Sequence, residues 1–365
     1  MPTSTARPNW PSGGAISRVI TRSWRGITSR GRPARSISSA EPCTTWGASS
    51  AKSPTNFLGG IDMEREIVAN AFHHVPWGIP IAIYFYLVGA SAGSFVVSSL
   101  GWVFGVPKYK PISLFAANTA IVLLLIVPVL LIFDLGHMWR FFHLLMLTSF
   151  SHWSAPMMWG TTLILSYTLG MIVYSYFVWR HDVRRAQRFG LLAVVLAIGT
   201  HWYTGVVSQL IPGLDPNHTA TAPILFLTGA FVSGIGFLNL ALALRNRWLA
   251  PEKRVSPELI VGLSRLMMWG IVFDLFLLLN EFLQMTYGRG EEFVVLYGVL
   301  LGPFQFVFAW VEVIWGLLLP LTLLAIPGWG RRYPVVLVAS FMAATGIVGM
   351  RIWWVMGGFY FQTFF

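Results

Sequence analysis

The sequence predicts an all-α membrane protein of eight transmembrane helices, packed as one bundle or as two. Three observations predict it. Of the 365 residues, 55% are apolar and 11% charged, against about 25% charged in a soluble domain. Eight apolar runs are each long enough to cross a hydrocarbon layer of about 30 Å. Seventeen Trp and a 15% aromatic share suit the belts that anchor helices at the two membrane interfaces.

Residues 1–62 differ from the rest. They hold eight basic residues (Arg7, Arg18, Arg22, Arg25, Arg30, Arg32, Arg35, Lys52) against Glu41 and Asp62, among many Ser, Gly and Pro. No apolar run there makes a secretory signal and no Arg-Arg pair marks a twin-arginine signal. The segment is expected to be a disordered basic tail or an over-extended start, with Met63 opening the chain. The membrane domain is then 63–365. Its spans are predicted at 79–104, 112–134, 157–179, 189–211, 221–244, 259–285, 297–326 and 333–356. The seventh contains Pro303 and Pro320, so its membrane part is expected to start near Pro303. Loops after odd spans carry Lys108, Lys110, Arg180, Arg184, Arg185, Arg188, Arg245, Arg247, Lys253, Arg254, Arg331 and Arg332, whereas loops after even spans carry only Arg140 and Arg289. The positive-inside rule puts the first set in the cytoplasm and both termini outside.

The net charge of +11 does not point to nucleic acid, because the basic residues of the membrane domain lie in short loops between apolar spans. The one cysteine, Cys43, lies outside the spans, so the protein cannot by itself ligate an iron–sulfur cluster. His201 is the one histidine clearly inside a span, and a bis-histidine haem needs two on facing helices; no haem is expected.

Four ionisable groups fall deep in the spans: Asp274, Glu281, Glu312 and Arg351. Charge at bilayer depth is costly unless paired or wet, and marks function by default. Asp274 and Glu281 are seven residues apart and share a helix face. Glu281 and Arg351 each lie about one turn from an outer end, so an ion pair between them is the plainer reading. Asp274 and Glu312 both fall near mid-membrane, where two carboxylates in a low dielectric disfavour double ionisation, as a proton relay requires. A protonated structural pair would look the same.

The stretch between spans 2 and 3, from Asp134 to Gly160, mixes Trp139, Arg140, Phe141, Phe142 and Trp153 with His137, His143 and His152. It reads as an amphipathic interfacial segment or as a platform on which an extracytoplasmic partner docks, with Arg140 and Trp153 as contacts. Asn70, His73 and His74 precede span 1 at the outer interface, and Tyr203 and Thr204 lie near the same surface. A quinone headgroup needs donors to its two oxygens, an apolar slot and a group that exchanges protons; His, Tyr and Asn near one interface meet that need. A solvated His pair, and a satisfied core histidine at His201, are the bland alternatives.

From about Asn70 onward the sequence resembles the polysulfide-reductase membrane-subunit (NrfD-like) family. The resemblance rests on Pro76-Trp77-Gly78 leading into YLVGASAGSF, on DLGHMWRFFHLL followed by SHWSAPMMWG, on YTGVVSQLIPG, and on GMRIWWVMGG near the end. His137 stands where the family usually has Arg, and Ala155 interrupts its Ser-Pro step. The resemblance implies two four-helix bundles in the prokaryotic cytoplasmic (inner) membrane. It also implies a haem-free subunit binding a quinone (menaquinone or ubiquinone) near the extracytoplasmic face. Electrons would pass to or from a ferredoxin-like iron–sulfur partner, often serving a molybdopterin catalytic subunit. By motif, Asp134, Tyr203 and Arg351 carry over as functional positions; Asn70 and His73 or His74 map onto the family's Asn and His at the first helix. The expected quinone contacts are therefore Asn70, His73, His74, Asp134 and Tyr203. The expected proton relay is Asp274, Glu281, Glu312 and Arg351. Gly89, Ala90, Ala92 and Gly93 are expected to let helices approach closely. The rival reading is a secondary transporter or ion channel using the buried acids, which predicts helices broken at mid-membrane and inverted repeats.

Overall fold

The computed structural model describes residues 77–134, 139, 155–209, 221–287, 296, 299–302 and 304–360. Among them are eight helices long and apolar enough to cross a membrane. They are α1 (Ile79–Trp102), α2 (Lys110–Asp134), α3 (Pro156–Trp179), α4 (Val183–Val207), α5 (Ala222–Trp248), α6 (Pro257–Tyr287), α7 (Phe306–Ala325) and α8 (Tyr333–Tyr360). α1, α3 and α5 each begin with a proline in the first turn (Pro80, Pro156, Pro223), where a missing N–H costs nothing and the fixed φ is already helical.

Two boundaries differ instructively from the predicted spans. α4 starts at Val183, within the basic loop, because Asp182 caps it by accepting from the Arg185 amide at 3.1 Å; the arginines of this first turn can reach water from the interface. α7 is π-helical over Phe306–Leu318 and becomes α-helical over Leu319–Ala325. The change falls at Pro320, which has no N–H to continue the ladder. A wound π segment of this kind is uncommon and tends to mark functional sites.

The packing forms two rings of four. α1 packs on α2, α2 on α3, α3 on α4 and α4 on α1; α5, α6, α7 and α8 close a second ring. The rings join where α1 and α4 meet α5, and where α1 meets α8. The first ring has its own core of Phe95, Ala117, Leu124, Tyr167, Met171 and Tyr174. Phe95 meets Tyr174 edge-on at 5.4 Å between ring centres, and the Tyr174 hydroxyl lies 3.0 Å from the Ser98 hydroxyl.

The seam between the rings is made of small residues, as the sequence predicts for α1. Gly93 of α1 faces Gly234 of α5 so closely that an added Cβ would lie 2.7 Å from the Gly234 Cα and closer still to the Ala230 carbonyl. Gly89 has ordinary space, with Ala230 at 3.4 Å. Gly316 and Gly346 make a similar backbone contact between α7 and α8.

Candidate functional site

The second ring holds the buried charges, and each is held by a neighbour from another helix. On α6, Asp274 and Glu281 are seven residues, about 10 Å, apart. α5 runs antiparallel beside it and presents Thr228 and Thr221, also seven apart. Thr228 Oγ1 donates to Asp274 Oδ1 at 2.7 Å. Thr221, at the start of α5, donates to Glu281 Oε2. Both acids are buried. The two threonines are thus matched rung for rung to the two carboxylates.

Glu312 lies in the π-helical part of α7 and accepts from the Trp353 indole of α8. Arg351, two residues before Trp353, is 1% exposed. Its Nη2 donates to the Phe226 carbonyl of α5 at 2.8 Å, and its guanidinium lies 3.8 Å above the Phe226 ring centre. Gly229 leaves the room for this, since a Cβ there would stand 3.3 Å from Nη2. Among the described residues, Arg351 Nε and Nη1 have no hydrogen-bond partner. A buried donor left so costs roughly 1–3 kcal/mol, and charged donors cost more. What offsets this is charge: Asp274 and Glu312 both lie within electrostatic reach of Arg351. An aromatic wall backs the cluster, from Phe85 of α1 to Phe226 (5.8 Å), then Trp354 (5.7 Å), Trp353 (5.1 Å) and Phe308 of α7 (5.2 Å).

The ion pair predicted between Glu281 and Arg351 does not form. Glu281 bonds to Thr221, whereas Arg351 is coupled to Asp274 and Glu312. Among the described residues, Arg185 and Asp182 do form an ion pair, at 3.4 Å on the surface.

In the first ring, Tyr203 of α4 is half-buried and its hydroxyl donates to the Pro156 carbonyl of α3 at 2.8 Å. Its ring lies on Gly160, which has no Cβ to obstruct it. Tyr84 of α1 is within electrostatic reach of the same hydroxyl. His201, two residues or about 3 Å deeper on α4, is 1% exposed. Its Nδ1 pairs with the Ala197 carbonyl at 2.8 Å, and the Val88 backbone of α1 also bears on the ring. Asn70, His73, His74, Arg140 and Trp153 lie outside the described residues, as does the side chain of Asp134 at the end of α2.

The sequence reading missed Thr221, Thr228 and Trp353, although α5 and α6 share a seven-residue spacing. It also missed a polar cluster near the opposite end of the second ring. Asn239 Nδ2 donates to Ser264 and Ser340, each at 3.0 Å, with all three residues fully buried. No pattern in the sequence marks that cluster.

Residues 67–362 match the family model of polysulphide reductase, NrfD. The Hdr-like menaquinol oxidoreductase integral membrane subunit of Archaeoglobus fulgidus is 29% identical over 290 residues, 78% of this sequence and 71% of that protein. The C subunit of selenate reductase from Mesobacillus selenatarsenatis is 25% identical over 320 residues, 77% of this sequence and 72% of that protein. Protein NrfD of Escherichia coli is 24% identical over 322 residues, 79% of this sequence and 97% of that protein. With the eight spans and the motifs around Asp134, Tyr203 and Arg351, a family match over so much of the sequence leaves one assignment: this is an integral membrane protein belonging to the polysulphide reductase NrfD family.

Proposed function

We propose that this protein is the quinone-reactive anchor of a respiratory oxidoreductase complex in the prokaryotic cytoplasmic membrane. In this reading it exchanges electrons between the quinone pool and a partner iron–sulfur subunit, itself coupled to a catalytic subunit carrying molybdopterin. The observation that carries the reading is the match along three quarters of the sequence to proteins named as subunits of oxidoreductases, one of them a menaquinol oxidoreductase. The single Cys43 agrees with it, since a protein without a set of thiolates takes its electrons from another subunit.

A bound quinone supplies a carrier of two electrons and two protons. The described residues fit its headgroup in part. Tyr203 presents a half-buried hydroxyl at the predicted outer end of α4, and after donating to Pro156 its oxygen keeps a lone pair for a quinol hydroxyl. Asn70, His73, His74 and Asp134 are proposed as the remaining contacts, and Arg140 and Trp153 as contacts to the partner. Asp274, Glu281 and Glu312 are proposed to carry protons away from or toward the outer surface, with Arg351 biasing the charge of the inner two.

Purification from the native membrane in mild detergent tests the assembly. Co-purifying iron–sulfur protein and extractable quinone are expected; a solitary protein without quinone would favour transport by the buried acids instead. Tyr203→Phe tests the site. It removes one hydrogen bond, worth about 1 kcal/mol, so the complex is expected to assemble while its KM for a short-tail naphthoquinone rises about fivefold to tenfold. An unchanged KM, or loss of assembly, would reassign Tyr203 to packing α3 against α4.

A further inference from the structure

Arg265 lies inside the predicted sixth span, but unlike Asp274 and Glu281 on the same helix its side chain is exposed. Glu258, Gly262, Arg265 and Trp269 follow one another at helical spacing and share one face of α6. That face is open: Glu258, Arg265 and Trp269 are exposed and Gly262 is partly so. A second cation reaches it from the first ring. The short 3₁₀ turn Pro107–Tyr109 joins α1 to α2. Tyr109 is buried and anchors the turn in the core that also takes Leu259, Ile260 and Leu263 of α6. Lys108 then lies across α6 at Gly262, where an added Cβ would stand 2.5 Å from Lys108 Nζ and 3.2 Å from its Cε. The missing side chain of Gly262 is the gap that admits the ammonium. Residues three apart on a helix have Cβ positions about 5–6 Å apart, so the ammonium sits beside the root of the Arg265 side chain. Among the described residues neither cation forms an ion pair. The acid of this face, Glu258, stands in the first turn of α6, where it complements the helix N-terminus.

Two cations brought together without a carboxylate call for an anion between them, and their level in the fold says which. Lys108 belongs to a polar turn where two spans end, so Gly262 lies at the membrane interface and Arg265 about 4.5 Å deeper. An arginine at that depth extends back to the headgroup layer, whose anion is the phosphodiester. Trp269, a further turn down, suits the boundary with the acyl chains. Lysine offers phosphate a point charge, and arginine offers two parallel N–H donors. We propose that Lys108 and Arg265 bind the headgroup of one acidic phospholipid. The site is on the side of the membrane that carries the basic loops, which the positive-inside rule makes the cytoplasmic leaflet. The bound lipid would tie the α1–α2 turn of the first ring to α6 of the second. The inference does not depend on the quinone reading.

The test uses the full-length protein with its co-purifying subunits, delipidated in mild detergent. Native mass spectrometry follows titrations with phosphatidylglycerol and with phosphatidylcholine of the same acyl chains, beside thermal unfolding. A cation beside an anionic headgroup is worth about fivefold in affinity. The first phosphatidylglycerol is therefore expected to bind at least about tenfold more tightly than the first phosphatidylcholine, and to raise the melting temperature. Lys108→Gln/Arg265→Gln should bring the two lipids level. Arg184→Gln/Arg188→Gln, which removes two exposed cations of α4, should leave the preference intact. Gly262→Leu pushes only the flexible end of Lys108 aside and should also lose the preference; it serves as the test if the double variant does not purify. A phosphatidylglycerol preference unchanged in these α6-face variants would overturn the proposal. So would an equal loss in the α4 variant, which would make the attraction one of diffuse charge. Displacement of the lipid by inorganic phosphate would overturn it too, since the site would then take a soluble anion.

Discussion

Gly93→Val is expected to remove the protein from the membrane fraction. The two rings touch backbone to backbone at Gly93 and Gly234, and an added Cβ at either position runs into main-chain atoms of the other helix. A main chain cannot rotate away as a flexible side chain can, so α1 and α5 must separate. Separation would also break the contacts of Phe85 with Phe226 and of Ser94 with the Gly234 carbonyl (3.3 Å). Within a membrane no hydrophobic driving force compensates, because lipid is as apolar as the helix; close packing itself holds the pair. A loss above 4 kcal/mol, on the order that only severe overpacking produces, is the expectation. Gly89→Ala, one turn away with 3.4 Å to Ala230, is the control and should leave the protein at wild-type level. Immunoblotting of membranes and thermal unfolding in detergent would show the difference. Equal amounts and equal melting for Gly93→Val and wild type would mean the rings do not meet at this seam.

Much of this fold was legible because membrane spans are written in length and apolarity. Seven of the eight helices start or end within a few residues of the predicted spans, and Gly93 was legible as a packing residue. What was not legible has physical causes. Asp182 extended α4 into a basic loop, because a cap and interfacial arginines outweigh local polarity. The π-helical winding of α7 leaves no mark on composition, and the close approach of Gly316 to Gly346 shows only once α7 and α8 are packed. In the site, the four buried charges were found from the sequence alone, since charge in an apolar run stands out. Their partners were not. Depth counted from helix ends paired Glu281 with Arg351, but depth says nothing of azimuth. The threonines that hold Asp274 and Glu281 look like ordinary helix residues until α5 is laid beside α6.

That reassignment sets the second large effect, at Arg351. Arg351→Met keeps much of the length of the side chain and deletes its charge. Asp274 would retain Thr228, and Glu312 would retain Trp353, but the cation that lies within electrostatic reach of both would be gone. Removing one member of a buried charge cluster costs on the order of 3 kcal/mol. If that loss falls on the functional state, electron transfer to quinone drops by about a hundredfold. The double variant Arg351→Met/Asp274→Asn should recover part of this, because it also removes one of the charges left behind, and the coupling should exceed about 0.5 kcal/mol. The same cycle built with Glu281→Gln should be additive, since Glu281 answers to Thr221 instead. Quinone reduction by the purified complex and its melting temperature give both cycles. Coupling of Arg351 to Glu281 and none to Asp274 or Glu312 would overturn the arrangement of the buried charges. Coupling in the predicted order would tie the cation of α8 to acids of α6 and α7. The buried charges would then act as one unit spread over three helices of the second ring, with no single helix carrying it alone.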